Sequence, residues 1–201
     1  MGLFGLDLRE EIKSDDPFEI GLVYYRGLDG VMVDYKKAFS WFLISDREGM
    51  ASGSNALGKM YANGLYVERD FQESAMYFQR AVDRGRVESY YFLAIAFLNL
   101  GRHARALDIA KEGIRKGVAK AYIAGGHVER ALENYSSARK YYHRAYKRGV
   151  SEGAFFLGEF FGEGLGCQKN EYYSNQWLLK ASRSGDMRAR NLLREGFELA
   201  G

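Results

Sequence analysis

Apolar positions along this chain recur with a period near 3.6 rather than 2. From Ala51 to Gly85, one apolar series runs through Ala51, Leu57 and Tyr61, and a second through Phe71, Met76, Phe78, Ala81 and Val82. That is the spacing of amphipathic helices. Gly64 ends the first series and Gly85 the second, at the places where a left-handed cap residue is expected. Asn63-Gly64 taken alone is a hairpin-turn pair, but the helical period on both sides makes it a helix end. The same pattern predicts helices over residues 17–27, 35–47, 51–63, 70–84, 87–99, 103–116, 119–131, 135–148, 151–162, 171–184 and 187–199.

The helix pair repeats. Terminal glycines fall at Gly49, Gly85, Gly117, Gly149 and Gly185, at spacings of 36, 32, 32 and 36 residues. Small residues keep a fixed offset from them: Ala38, Ser74, Ala106, Ala138 and Ser174 eleven positions before, and Ser45, Ala81, Gly113, Ala145 and Ala181 four before. Nine positions after come Gly58, Ala94, Gly126, Gly158 and Arg194, preceded by Leu57, Leu93, Gly125, Leu157 and Leu193. Small side chains let helix backbones approach while aromatics fill the space beside them, and periods of this length mean stacked repeats. Gly125-Gly126 breaks the propensity rule, since each interior glycine costs about 1 kcal/mol against alanine. Close packing is the expected compensation.

These residues resemble the Sel1-like repeat, a relative of the tetratricopeptide repeat. The first copy shows Ile20-Gly21, Tyr24, Gly27, Asp34, Lys37-Ala38 and Trp41-Phe42; the second Leu57-Gly58, Tyr61, Gly64, Val67, Asp70 and Tyr77-Phe78; the fifth Leu157-Gly158, Phe161, Gly164-Leu165-Gly166 and Trp177. Copies three and four are shorter and lack the glycine-rich loop, closer to a plain tetratricopeptide unit. The resemblance implies an all-α, right-handed solenoid of five helix pairs that docks other proteins and rarely catalyses. The expected organisation is a leader over 1–16, the repeats over 17–186 and a capping helix over 187–201. At the opening of the first repeat, Asp16, Pro17 and Glu19 predict an acid cap, a first-turn proline and a capping box.

Composition narrows the setting. The lone Cys167 rules out an internal disulfide framework and favours a reducing compartment, the cytoplasm. The N-terminus carries acids soon after a very short apolar stretch, so neither secretion nor a membrane span is expected. Charge is uneven. Residues 1–70 hold eight Lys/Arg against twelve Asp/Glu, and residues 101–150 twelve against four. Cations in final helical turns, as at Lys116, Lys147, Arg148 and Arg183, complement the macrodipole. With no groove-reading motif beside them, nucleic acid is not the expected partner.

The residues offer little chemistry. His103, His127 and His143 form no H-E-x-x-H, and none stands at a metal-ligand spacing from Cys167. Residues 162–166 look superficially like a phosphate loop, but no G-K-[ST] follows them and they align with the loop of the second repeat. No metal, no cofactor and no catalysis are expected. The candidate site is instead the inner face that the first helix of each pair lines in related solenoids. Counting from the Leu-Gly positions places Phe18, Leu22 and Arg26, Lys59 and Asn63, Tyr91, Ile95 and Asn99, Ile123, His127 and Arg130, and Phe155 and Glu159 there. Phe18, Tyr91, Ile123 and Phe155 would anchor an apolar segment, and Arg26, Lys59, Arg130 and Glu159 fix its register. Lys59, Asn63, Asn99 and Arg130 are a second set, suited to a carboxylate. The partner is another protein, either a peptide segment or a folded domain. The expected role is a regulatory adaptor or scaffold, the alternative an immunity protein neutralising a bacterial toxin. Oligomeric state is left open.

Overall fold

A computed structural model describes residues 14–28 and 30–198; of residues 195–198 it gives the backbone alone, and expectations on residues 1–13 and 199–201 lie outside it. Among the described residues there are eleven helices and no strand: α1 (Pro17–Arg26), α2 (Tyr35–Arg47), α3 (Ala51–Asn63), α4 (Phe71–Asp83), α5 (Ser89–Asn99), α6 (His103–Arg115), α7 (Ala121–Ala131), α8 (Tyr135–Lys147), α9 (Glu152–Glu163), α10 (Glu171–Arg183) and α11 (Met187–Glu198). The fold is an all-α helical repeat. Two helices begin two residues later than the period predicts. Ser89 N–H bonds Arg86 O and Ala121 N–H bonds Val118 O, three-residue turns that delay the helical ladder. The chain divides into two compact units, one ending at Ser89 and one beginning at Tyr90. Each has its own core.

The five terminal glycines all adopt left-handed φ between 84° and 91°, which an L side chain resists. Ten small residues at the two fixed offsets before them are all buried. Gly21, Gly58, Gly126 and Gly158 show why the offset after them is small. A Cβ on each would lie 2.5 Å from Phe42, 2.8 Å from Phe78, 2.4 Å from Tyr142 and 2.7 Å from Leu178. Each of these large side chains stands seven residues before its terminal glycine, so the second helix of a pair drives a knob onto the bare backbone of the first. In the third copy the corresponding residues are Ala94 and Ala110, both fully buried. There neither helix supplies a knob.

The long loops carry their own logic. Asp34 N–H bonds Tyr24 O at 2.9 Å, Asp70 N–H bonds Tyr61 O at 3.0 Å, and Asn170 N–H bonds Phe161 O at 2.8 Å. The same three residues cap α2, α4 and α10 through their side-chain oxygens, which satisfies helix-end donors that have no intrahelical partner. At α1, Asp16 accepts from Phe18 N–H at 2.8 Å. The return bond expected from Glu19 is made instead by Ser14, whose Oγ accepts from Asp16 N–H at 3.2 Å.

Candidate functional site

In the unit ending at Ser89, Phe18 and Leu22 lie half-buried against the core of Ile20, Tyr24, Phe42, Leu57 and Met60. Arg26 is exposed in the last turn of α1, and Lys59 is half-buried in α3. Asn63 is exposed, but its amide donates to Lys59 O at 2.9 Å. Asn99, in the other unit, does the same to Ile95 O at 2.8 Å. Each amide thus spends one donor on its own helix end, and Lys59 and Asn63 lie in a different unit from Asn99 and Arg130.

In the unit beginning at Tyr90, two expected anchors are core residues. Ile123 is 0 % and Phe155 6 % exposed, inside a cluster with Tyr142, Phe156, Leu157 and Phe160. The counting placed them on an open face, but the inter-repeat contact claims them. Tyr91 and Ile95 are half-buried, and Tyr91 packs on the edge of the same cluster. Arg188 of α11 stacks its guanidinium 4.0 Å from the Phe155 ring. It is held there by Asp186 at 2.6 Å, with Glu152 at 3.9 Å.

The structure joins His127, Arg130 and Glu159 in one polar cluster between α7 and α9. Arg130 and Glu159 approach at 3.5 Å, so these two charges hold each other rather than standing separately for a partner. His127 Nδ1 lies 3.0 Å from the Tyr142 hydroxyl, and its ring meets Phe156 edge-on at 4.8 Å. Burial, with Arg130 and Arg188 adding to it, pushes the His127 pKa down to about 4, leaving the imidazole neutral at pH 7. Burial likewise raises Glu159, against the pull of Arg130. Beside the cluster opens a pocket of about 450 Å³ lined by His127, Arg130, Ala131, Glu133, Tyr135, Glu163 and Leu165.

Sequence reasoning missed two groups. Tyr142 was not singled out, although a bulky residue seven positions before four of the five terminal glycines is a readable signal. Asp46 is 5 % exposed, and accepts from Ser54 at 2.6 Å, Arg80 at 2.5 Å and Arg84 at 2.7 Å. The partners lie 8, 34 and 38 residues away, and no local pattern announces them. Cys167 is a free thiol whose Sγ lies 3.7 Å from Phe160 O, in the loop aligned with that of the second repeat.

This arrangement of buried small residues, glycine-capped pairs and capped long loops defines a helical-repeat protein of the Sel1 type. The Sel1 repeat profile matches residues 18–45, 51–85, 117–150 and 151–186, and the chain belongs to that family. The profile takes in the fourth copy, expected to depart from it, and leaves residues 86–116 unmatched, where Ala94 and Ala110 replace the glycine and its knob. The chain is 27 % identical over 187 residues to the chitin synthase regulator SKT5 of Saccharomyces cerevisiae, covering 92 % of this chain and 23 % of that protein. It is 32 % identical over 81 residues to HRD3B of Arabidopsis thaliana, a component of an ERAD-associated E3 ubiquitin-protein ligase, covering 40 % of this chain and 12 % of that one. The chain thus spans less than a quarter of the curated relatives it matches. A Sel1 repeat protein from Oxalobacter formigenes superposes with a TM-score of 0.66 at 21 % identity, over 82 % of this chain and 69 % of that one. Among the described residues no helix is long and apolar enough to cross a membrane.

Proposed function

We propose that the chain is a non-catalytic adaptor that binds another protein. In the unit beginning at Tyr90, the contact surface is the side formed by the first helices α5, α7 and α9. The observation that carries this is the open pocket beside the Arg130–Glu159 pair. It offers charges of both signs, Arg130, Glu133 and Glu163, around a Tyr135 and Leu165 wall. Such a mixture orders a polypeptide segment by hydrogen bonds while a side chain covers the apolar part. The two curated relatives, a regulator and a ligase component, support an adaptor role over a chemical one. Tyr91 and His127 flank the contact, and Phe155 and Ile123 act beneath it by holding α7 and α9 in place. In the other unit Phe18, Leu22, Arg26, Lys59 and Asn63 are the corresponding candidates. The single thiol at Cys167 is the reason for proposing a reducing compartment, the cytoplasm.

The test is affinity capture with mass spectrometry, using wild type and a Glu133→Lys, Glu163→Lys variant. Both glutamates are exposed and outside the core, so circular dichroism should show an unchanged fold. A partner held by wild type and lost from the variant is the expected result. Equal recovery of every partner removes this face from the proposal.

A further inference from the structure

A second pocket opens on the other side of α9. Leu157 and Phe161 line it, and they stand two residues from Glu159 and so roughly 200° around the helix from it. Trp177 of α10 completes an apolar floor, and Arg139, Lys140, His143 and Arg144 of α8 form the rim, enclosing about 290 Å³. That lies just below the roughly 300–1,000 Å³ of small-molecule sites and suits one large side chain.

The rim's charge is unbalanced. α8 carries Arg139, Lys140, Arg144 and Lys147 and no acidic residue, and no carboxylate lines the pocket. Among the described residues none of these four cations forms an ion pair. Helix-end cations complement the macrodipole, which accounts for Arg144 and Lys147 in the last turn. It does not account for Arg139 and Lys140, which sit before that turn, at the mouth of an apolar socket.

The ring faces separate two kinds of anionic partner. Nucleobases need an open aromatic face on which to stack. Lys180 Nζ lies 4.0 Å above the Trp177 ring, with Tyr146 and His143 edge-on at 5.2 and 6.1 Å. The Arg139 guanidinium lies 5.6 Å from the Phe161 ring centroid. The aromatics therefore act as socket walls rather than platforms.

We propose that this pocket between α8 and α10 docks an acidic segment of a partner polypeptide. One large apolar side chain enters among Leu157, Phe161 and Trp177, and carboxylates on either side of it pair with Arg139, Lys140 and Arg144. This face is separate from the one proposed above, and either can fail without the other.

The probe is a fluorescein-labelled synthetic peptide with a central phenylalanine flanked by glutamates, followed by fluorescence anisotropy against the full chain. Two controls carry alanine for the phenylalanine and lysine for the glutamates; a random single-stranded DNA oligonucleotide competes. The protein variant is Lys140→Glu, Arg144→Glu, two exposed positions whose reversal leaves the core untouched. The expected result is saturable binding of the acidic peptide, weakened about ten-fold by the protein variant, as loss of two exposed pairs implies. The alanine peptide should weaken by at least a similar factor, and the lysine peptide should not bind. Binding weaker than about 1 mM, equal binding of the alanine peptide, or equal binding by the variant overturns the proposal. Displacement by the oligonucleotide at lower concentration than by unlabelled peptide overturns it in favour of nucleic acid.

Discussion

Replacing Gly126 by alanine sets two opposed effects against each other. In an exposed helix the change would stabilise by about 1 kcal/mol through helix propensity. Here the new Cβ would lie 2.4 Å from Tyr142 Cε1, 2.7 Å from Cδ1 and 2.9 Å from Cζ, so the ring must retreat by about 1 Å to reach ordinary contact. Tyr142 has nowhere free to go. It is fully buried, stacked on Phe156 at 4.7 Å and edge-on to Phe160 at 5.3 Å, with its hydroxyl on His127. Overpacking of this kind costs about 1–3 kcal/mol, and loss of the hydroxyl bond about 1 more. The net expectation is a loss of about 1–3 kcal/mol, with a midpoint lower by about 2–12 °C at roughly 2–4 °C per kcal/mol for a chain of this length. Thermal melts followed by circular dichroism at 222 nm measure it. In a Tyr142→Leu background the same alanine should cost much less, because the ring it strikes is gone. A midpoint that stays or rises on Gly126→Ala, or an equal cost in both backgrounds, would refute the knob-on-glycine account of the repeat.

The remaining expectations concern buried polar groups. Ser74 Oγ is buried with no hydrogen-bond partner, whereas Ser174 Oγ donates to Gly158 O at 2.8 Å. Ser74→Ala should therefore be neutral or raise the melting midpoint, and Ser174→Ala should cost about 1 kcal/mol of stability. At Asp46, burial opposes ionisation, but Ser54, Arg80 and Arg84 together hold the carboxyl below the usual carboxylate range. Its contribution is then present above the unfolded pKa near 4 and lost as pH falls through the depressed native value. Asp46→Asn should lower stability by about 2 kcal/mol at pH 7 and flatten the acid limb of a stability-versus-pH curve. For His127 the sign is different in origin. The unfolded imidazole takes its proton near pH 6.5 and the native one only near 4, so stability is full above 6.5 and falls by about 2 kcal/mol on reaching pH 5. His127→Gln should remove that slope, and an NMR titration of His127 with a midpoint near 6.5 would contradict it.

Much of the fold was legible because it rests on local rules repeated five times. Small residues at fixed offsets, glycine caps and the 3.6 period place nine of the eleven helices within one residue at each end and leave the remaining two starting two residues late. The candidate surface was less legible. A first helix here has one flank against its partner helix, another against the next pair and only a narrow strip outside. A count that advances four residues at a time drifts off that strip, and it carried Ile123 and Phe155 from the surface into the core. Polar residues on the same count, His127, Arg130 and Glu159, did come together. Each is too costly to bury deeply without a partner, so packing left them at the edge of the contact.

That difference bears on how such a chain acquires a partner. Knob-and-glycine pairs such as Gly126 and Tyr142 fix helix spacing, and a change there is answered by strain. The edge residues are free of that duty. Rim residues such as Lys140 and Arg144, both exposed, can be reversed in sign without moving a buried side chain. A repeat array can therefore hold its backbone constant while its rims change specificity. The cost of rim charge is small because each exposed pair contributes only about 0.2–1 kcal/mol. Reversing Lys140 and Arg144 to glutamate should accordingly leave the melting midpoint within about 4 °C while altering capture of any partner that reads their charge. A collapse of the fold on that reversal would mean that these cations belong to the core rather than its edge.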